Sequence, residues 1–365
     1  MATIQYNVKV QFDFGALKLL PEELALQGAK RPLVVSDRGV GASGILQQVL
    51  DRVGGTAFLD TPSNPTEAAA EAAFAACREN GCDSIVAVGG GSAMDLAKAA
   101  AVLTTNEGPL ERYAFYNAGM AFPPKLPVPL FVVPTTAGTG SEVARSAVLV
   151  FSSGRKSLLF TTPGSVRCAI LDPELTLGLP PALTAATGMD ALAHCVETFC
   201  SPRVNPPADA IALDGMRRIA HNLERAVQDG SDRAARWNMM MAAMEGALAF
   251  QKGMGAVHAL SHPLGTLGLH HGTLNAVLLP HVLAHNAAAL GEKLCVLSNA
   301  VGHPVPDWFA RLNERLAMPP GLGAMGVPHG RLGEFAAEAL SDSSHATNPR
   351  PMQREDYEAL LRAAF

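Results

Sequence analysis

The chain has 365 residues, of which 48% are hydrophobic and 17% charged, so it is long enough for two domains and is globular rather than disordered. A formal net charge of −5 gives no electrostatic reason to expect binding to nucleic acid or to a membrane surface. The composition therefore favours chemistry on a small-molecule substrate.

The first half alternates short apolar strands with helical stretches. The N-terminal MATIQYNVKVQFDFG alternates polar and apolar residues and predicts a strand or hairpin rather than a signal peptide. Further strands are predicted at 31–37, 56–60, 83–91 and 129–136, with helices between them. This alternation is typical of an α/β domain with a doubly wound, mainly parallel sheet, in which ligands bind beyond the carboxyl ends of the strands.

From about residue 182 onward, apolar residues recur at helical spacing and no convincing strand follows. Helices are predicted at 208–228, 232–250, 256–265, 274–290 and 331–341. We therefore expect a domain boundary near Pro180 and Pro181. It separates an α/β dinucleotide-binding domain at 1–180 from an all-helical metal-binding domain at 181–365.

Six cysteines are scattered along the chain, too few and too far apart for a disulfide scaffold. No apolar run approaches the roughly 20 residues needed to cross a bilayer. Together these features predict reduced thiols and a cytoplasmic protein.

One carboxylate and three imidazoles stand at ligand-like spacings in the second half. Asp190 and His194 are four residues apart in GMDALAHCVE, so on a helix they project from one face. His258 and His262 repeat that spacing in AVHALSHPLG, and His271 follows in LHHGTLNAV. A single helical histidine is more often a packed core residue, so the prediction depends on number and spacing. The set suits Fe(II) or Zn(II) better than Mg or Ca.

Not every histidine of this region is predicted to bind the ion. His262 is expected to face the metal cavity without necessarily binding it, and His270 to point away from it. Three more are predicted to be surface or packing residues: His221, His281 and His285.

A glycine-rich turn, in GGGSAMDLAK at 89–98, follows the strand predicted at 83–91. Three successive glycines let the backbone approach a phosphate closely, and the helix that follows offers free N–H groups. Asp37 ends the strand predicted at 31–37. It is placed either to bind a ribose diol or to cap a helix. A carboxylate there repels a 2′-phosphate and favours NAD over NADP.

The segment PTTAGTGSE at 134–142 puts four hydroxyl side chains directly after a buried strand. These hydroxyls are predicted to bind a carboxamide or a phosphate, although an ordinary polar turn has the same composition. Asp95 and Lys98, in the helix after the glycine-rich turn, are expected to support the site or to form an i,i+3 surface pair.

A literal GxGxxG follows the strand predicted at 31–37 and is formed by Gly39, Gly41 and Gly44. Asp60 ends the strand predicted at 56–60. We discount this dinucleotide fingerprint because Ser36-Asp37-Arg38 separate the strand from the first glycine. In a chain with 34 glycines, one such match is weak evidence.

The motifs GGGSAMDLAK, PTTAGTGSEV, GMDALAHCVE and AVHALSHPLG…HHGTLNAVLLPH, in this order and spacing, resemble the iron-containing (group III) alcohol dehydrogenase family. The resemblance covers nearly the whole chain. It implies an N-terminal Rossmann-like domain and a C-terminal helical domain, the dehydroquinate synthase-like fold. NAD and a divalent metal are then expected in the cleft between the domains. The intact set of four ligands favours iron over zinc.

The resemblance also implies roles for individual residues. Asp190, His194, His258 and His271 match the family's metal ligands, and His262 matches a neighbouring histidine that relays protons. The positions that match cofactor contacts are Asp37, Asn64, Gly90, Gly91, Ser92, Thr135, Thr136, Thr139 and Lys156. Ala144 and Ser146 depart from the Thr and Asn of some family members near the nicotinamide.

Within the family, three segments around the histidines most resemble 4-hydroxybutyrate dehydrogenases. This implies a small primary alcohol as substrate, an ω-hydroxy acid such as 4-hydroxybutyrate, and its aldehyde as product. Lys252 and Arg145 are candidates to bind the substrate carboxylate, and a solvated surface charge is the alternative for both.

Three other functions remain open: a maleylacetate reductase, a dehydroquinate-synthase-like lyase that uses NAD and a metal, and a non-enzymatic NAD-binding protein. The intact Asp190 and the lack of clustered Lys and Arg near the histidines argue against the first two. Strand-like residues 4–12 are predicted to pair across a two-fold axis, in a homodimer or a higher homo-oligomer.

Overall fold

The computed structural model describes residues 4–119, 121, 123 and 125–365. The chain divides into two compact units. An α/β unit contains Tyr6–Thr136 and Ser141–Gly178, and a helical unit contains Leu179–Phe365 together with Ala137–Gly140 and residues 4–5.

The described residues of the α/β unit form eight strands. They are β1 Lys9–Phe12, β2 Pro32–Val35, β3 Thr56–Phe58, β4 Ser84–Gly89, β5 Leu130–Pro134, β6 Ser146–Val150, β7 Lys156–Phe160 and β8 Val166–Leu171. Six strands form one sheet in the order β1-β8-β5-β4-β2-β3, and all their pairs are parallel. β6 and β7 form a separate antiparallel hairpin.

Six α-helices belong to this unit in the ranges that the structure describes. They are α1 Leu20–Leu26, α2 Arg38–Ala42, α3 Ile45–Val53, α4 Glu67–Glu79, α5 Gly91–Leu103 and α6 Phe115–Ala118. The core strands β2, β4 and β5 are apolar runs buried along their whole length, as expected for parallel strands covered on both faces. The predicted doubly wound α/β sheet is confirmed.

Three strands of this unit were not predicted from the sequence: β6, β7 and β8. β6 alternates partly buried and buried residues over five positions, whereas β7 has one buried residue, Leu159, among four partly buried ones. Residues 1–3 of the predicted N-terminal strand or hairpin lie outside the described residues. In the described part of that segment the strand is β1, which pairs with β8 at the edge of the sheet.

The helical unit contains nine α-helices in the part of the chain that the structure describes. They are α7 Pro181–Cys200, α8 Pro206–Gln228, α9 Arg233–Ala249, α10 Ala256–Leu264, α11 His271–Leu290, α12 Glu292–Val301, α13 Asp307–Arg315, α14 Leu332–Ala339 and α15 Arg354–Ala363. All five helices predicted by periodicity are present, whereas α12, α13 and α15 were not predicted.

Helix α7 is the centre of this unit, because its residues are buried from Thr184 to Cys200 and it packs against α8, α9 and α11. It begins at Pro181, which suits the first position of a helix because that residue needs no N–H acceptor. A helix buried on all sides has no solvent-facing stripe, so each polar residue on it needs a partner inside the protein.

All six cysteines are free thiols. Among the described residues, no helix is both long enough and apolar enough to cross a membrane.

Candidate metal centre and dinucleotide site

Four side chains from three helices meet inside the helical unit. Asp190 and His194 lie one turn apart on α7, His258 lies in the first turn of α10, and His271 is the first residue of α11. The Asp190 Oδ1 atom lies 3.8 Å from His194 Nε2, 3.8 Å from His258 Nε2 and 3.7 Å from His271 Nε2. One carboxylate oxygen therefore faces three imidazole nitrogens.

These distances fit a divalent metal. With metal–donor bonds of about 2.0–2.2 Å, two ligands of a tetrahedral ion are roughly 3.4 Å apart. The carboxylate–imidazole separations of 3.7–3.8 Å are close to that value. The ligand atoms of Asp190, His258 and His271 all lie within 4.8 Å of one another. Nitrogen and oxygen donors in this ratio suit iron or zinc.

Three of the four donor residues are buried. The side chains of Asp190, His194 and His258 are 3%, 6% and 1% exposed, whereas that of His271 is 28% exposed. His271 is therefore the donor residue most accessible to solvent.

The surroundings favour the ligand forms of two of these residues. Burial, the strongest effect on Asp190, would raise the pKa of its carboxyl, but the charges of the histidines, led by His194, hold that pKa well below its usual range. Burial lowers the pKa of His194 to about 4. A metal binds ionised carboxylates and neutral imidazoles, so both residues are ready to bind one at neutral pH.

Asn275 contacts the centre of the donor set and was not found from the sequence. Its Nδ2 donates to Asp190 Oδ1 at 2.7 Å and lies 3.3 Å from His258 Nε2 and 3.2 Å from His271 Nε2. Its Oδ1 is buried without a hydrogen-bond partner among the described residues. The Nδ2 atom of Asn275 therefore lies where the donor atoms of Asp190, His258 and His271 face one another. The sequence signal is the spacing, since Asn275 follows His271 by one helical turn.

His262 lies beside the donor set. Its ring stacks on that of His271 with centroids 5.4 Å apart and planes inclined by 9°. Its Nδ1 is hydrogen-bonded to Asp342 Oδ2 at 2.7 Å, and Asp342 accepts a further bond from the Ser344 N–H at 2.8 Å. Asp342 is 80 residues away in the chain, so no local spacing marked it.

The glycine-rich turn and the hydroxyl-rich segment meet at the carboxyl ends of β4 and β5. The N–H of Thr135 donates to the Gly89 carbonyl at 3.0 Å. Gly89 has φ +151°, and a Cβ there would lie 2.8 Å from the Cβ of Ala93, so only glycine fits. A Cβ on Gly90 would lie 3.4 Å from Thr136 Oγ1. This edge of the sheet is where ligands of doubly wound folds bind.

Most of the other predicted cofactor residues lie on other elements of the same unit. Ser92 Oγ donates to the Ser63 carbonyl at 2.6 Å, and Lys156 Nζ donates to Asn64 Oδ1 at 2.8 Å. Gly91 is the first residue of α5. Thr139 belongs to the helical unit instead.

Asp37 caps α2, because its Oδ1 accepts the N–H of Val40 at 2.9 Å. The capping interpretation is therefore observed, and a contact with ribose stays a prediction. Gly39 and Gly41 lie inside α2, away from the end of β2, which agrees with discounting the GxGxxG. Asp60 forms an ion pair with Arg38 at 2.7 Å.

The prediction that Asp95 and Lys98 form a pair on the surface is wrong, because Lys98 is buried. Its side chain is 0% exposed, and its Nζ lies 3.9 Å from Asp95 Oδ1. It donates to the Ser141 carbonyl at 2.6 Å and to the Ser146 carbonyl at 2.8 Å. The i,i+3 spacing was read correctly, but the helix is buried on both sides, so the ammonium anchors the segment that follows β5.

The expectation that Lys252 is either a substrate ligand or a solvated surface charge also needs correction. The residue is not at the surface. Its side chain is 0% exposed and forms an ion pair with Asp209. Its Nζ also donates to the Phe199 carbonyl at 3.1 Å, at the end of α7. The ammonium is engaged inside the helical unit, so the structure gives no support for a bond to substrate.

Comparison with known proteins shows the family of the chain. Residues 7–173 match the sequence profile of iron-containing alcohol dehydrogenases, and residues 184–365 match that of the Fe-containing alcohol dehydrogenase family, C-terminal. The chain is 49% identical over 382 residues to a 4-hydroxybutyrate dehydrogenase of Cupriavidus necator, and the match covers 100% of both chains.

Solved structures show the same fold. A 1,3-propanediol oxidoreductase matches with a TM-score of 0.92 and 34% identity, covering 100% of both chains. A sulfoacetaldehyde reductase from Bifidobacterium kashiwanohense, solved in complex with NAD+, matches with a TM-score of 0.91 and 27% identity, covering 100% of this chain and 98% of that one.

The chain belongs to the iron-containing alcohol dehydrogenase family. It is therefore an oxidoreductase that acts on alcohols, and its family implies the use of NAD(H) and a metal.

Proposed function

We propose that the protein interconverts 4-hydroxybutyrate, or a similar ω-hydroxy acid, and the corresponding aldehyde with NAD(H) and Fe(II). The observation that carries the proposal is the cluster of ligand atoms from Asp190, His258 and His271, with His194 Nε2 3.8 Å from Asp190 Oδ1. The 49% identity to a 4-hydroxybutyrate dehydrogenase supports the choice of substrate.

The two units divide the work in this proposal. The α/β domain at 1–180 binds the dinucleotide at the carboxyl ends of its strands, through Asp37, Asn64, Gly90–Ser92, Thr135, Thr136 and Lys156. The helical domain at 181–365 holds the metal. Thr139 is proposed as a further cofactor contact from the helical unit. The carboxylate of Asp37 favours NAD over NADP because it repels a 2′-phosphate.

When bound, a divalent metal polarises an alcohol or carbonyl oxygen as a Lewis acid, and the four ligand residues hold it in place. His262 takes the alcohol proton at Nε2, because its Nδ1 is engaged with Asp342 at 2.7 Å. The burial of Asp190 and His258 limits the contact of these donors with water.

Arg145 is proposed to bind the carboxylate of the substrate. It is partly buried and follows the hydroxyl-rich segment, whereas the other candidate, Lys252, is already paired with Asp209. An Arg145→Met variant should lose its preference for 4-hydroxybutyrate over 1,4-butanediol, measured as the ratio of kcat/KM values. An unchanged ratio contradicts this role.

The test of the whole proposal is NADH formation with 4-hydroxybutyrate, 1,4-butanediol and ethanol. Metal-free protein is reconstituted with Fe(II) under argon and, separately, with Zn(II). Iron-dependent turnover that favours 4-hydroxybutyrate is the expected result. Turnover on plain alcohols alone contradicts the carboxylate pocket, and no turnover with either metal contradicts the proposed reaction.

A cytoplasmic location and a homodimer complete the proposal. The six free thiols support a reducing compartment, and β1 at the edge of its sheet supports pairing with a second copy. Sedimentation equilibrium of the purified protein measures the second point, and a monomer at micromolar concentration would contradict it.

A further inference from the structure

Glu197 is buried on α7, two turns after Asp190 and on the same face of the helix. Its side chain is 5% exposed, and both of its oxygens are used. Oε2 lies 2.5 Å from His258 Nδ1, and Oε1 accepts the N–H of Val257 at 2.7 Å. The carboxylate therefore contacts two successive residues in the first turn of α10.

The contact with His258 decides which ring nitrogen carries a proton. A carboxylate oxygen accepts hydrogen bonds, so His258 donates to it through an Nδ1–H. In a neutral imidazole the other nitrogen, Nε2, then has the lone pair. That nitrogen lies 3.8 Å from Asp190 Oδ1, on the side of the ring where the other donors converge.

We propose that Glu197 is a positioning residue that fixes the Nδ1–H form of His258 and so aims its Nε2 lone pair at the metal. This inference rests on the proposed metal-dependent function. The negative charge of Glu197 adds to the effect, because it attracts a dication at Nε2 more strongly than a single proton there.

A glutamine at this position is the sharpest probe. The Val257 N–H can only donate a hydrogen bond. In the glutamine variant it therefore pairs with the amide oxygen, which is the only acceptor of that side chain. The amide NH₂ then faces His258 Nδ1 and favours the imidazole with its proton on Nε2, which cannot bind a metal. If the amide turns round, its NH₂ meets the Val257 N–H and two buried donors oppose each other. Either arrangement weakens metal binding while the shape of the side chain is kept.

The experiment compares Glu197→Gln with Glu245→Gln in the full-length protein. Glu245 is a partly buried glutamate on α9 whose Oε2 lies 3.3 Å from Arg218 Nε, so it receives the same chemical change in the same unit. The dissociation constant for Zn(II) is measured by chelator competition, with circular dichroism as a check of folding. We expect roughly 10–100-fold weaker binding in Glu197→Gln and a change within about threefold in Glu245→Gln.

A second measurement needs no substitution of Glu197. In the Zn(II)-loaded wild type, ¹⁵N NMR of the histidine rings should show a protonated Nδ1 on His258, assigned by loss of its signals in His258→Gln. Equal Zn(II) affinity of Glu197→Gln and wild type, or an unprotonated Nδ1, overturns the inference and leaves the proposed function intact. A wild type that binds no Zn(II) or Fe(II) overturns the proposed function itself.

Discussion

Asp190 is the residue on which the donor set depends. A buried carboxylate is stable only when opposite charges or hydrogen bonds surround it. Here the amide of Asn275 donates to it at 2.7 Å, and three histidine nitrogens lie at 3.7–3.8 Å. These neighbours hold the carboxylate ionised and in place before a metal arrives, so the site is organised by the protein itself.

Glu142 is a buried acid of the α/β unit with a marked effect on stability. Burial raises the pKa of its carboxyl to about 7, although the charge of Lys98 opposes the shift. Between about pH 4.5 and pH 7 the unfolded chain releases this proton while the folded chain keeps it. The contribution of Glu142 to stability is therefore lost as the pH rises through that window, by about 3 kcal/mol in total.

A Glu142→Gln variant should remove this dependence, because the amide resembles the protonated acid and does not titrate. Urea unfolding of wild type and variant at pH 4.5 and pH 7.5 measures it. The wild type should lose about 3 kcal/mol relative to the variant between the two pH values. A difference that does not change with pH contradicts the prediction.

At the scale of elements, the site depends on how closely α11 approaches α7. Gly272 follows His271, and a Cβ at Gly272 would lie 2.1 Å from the Ala186 carbonyl oxygen. That oxygen belongs to the backbone of α7 and cannot move aside alone. The glycine therefore allows α11 to begin where His271 reaches Asp190.

Gly272→Ala should push α11 away from α7, lower stability by about 1–3 kcal/mol and reduce the bound metal well below one ion per chain. Thermal unfolding and metal analysis measure the two effects. Gly330→Ala is the matched control, because a Cβ at Gly330 meets nothing within 4 Å. Full metal content in Gly272→Ala would show that the close approach is not needed.

At the scale of the whole molecule, the two candidate sites draw on different units. All four metal donors belong to the helical unit, whereas the cofactor candidates except Thr139 belong to the α/β unit. Loss of the metal and loss of the dinucleotide should therefore be separable.

His258→Ala should abolish stoichiometric metal binding and turnover, yet leave the Kd for NADH within about threefold of the wild type. Fluorescence titration with NADH and metal analysis of the same sample measure both. A loss of NADH affinity by more than tenfold would show that the two sites depend on each other.

Local sequence determined the features that depend on periodicity and spacing. Asp190 and His194 share a helix face because four residues make about one turn, and the buried runs of β2, β4 and β5 indicated a parallel sheet. The family resemblance was confirmed for the same reason, since the motifs that carry it are contiguous.

Tertiary structure alone decided which partners those residues meet. Glu197 meets His258 across 61 residues, Asp342 meets His262 across 80, and Asn275 meets Asp190 across 85. Lys98 resembled a surface residue until the burial of α5 was known. Periodicity defines one face of one helix, but contacts between helices and the water they exclude are set by packing over the whole unit, which no local window of sequence contains.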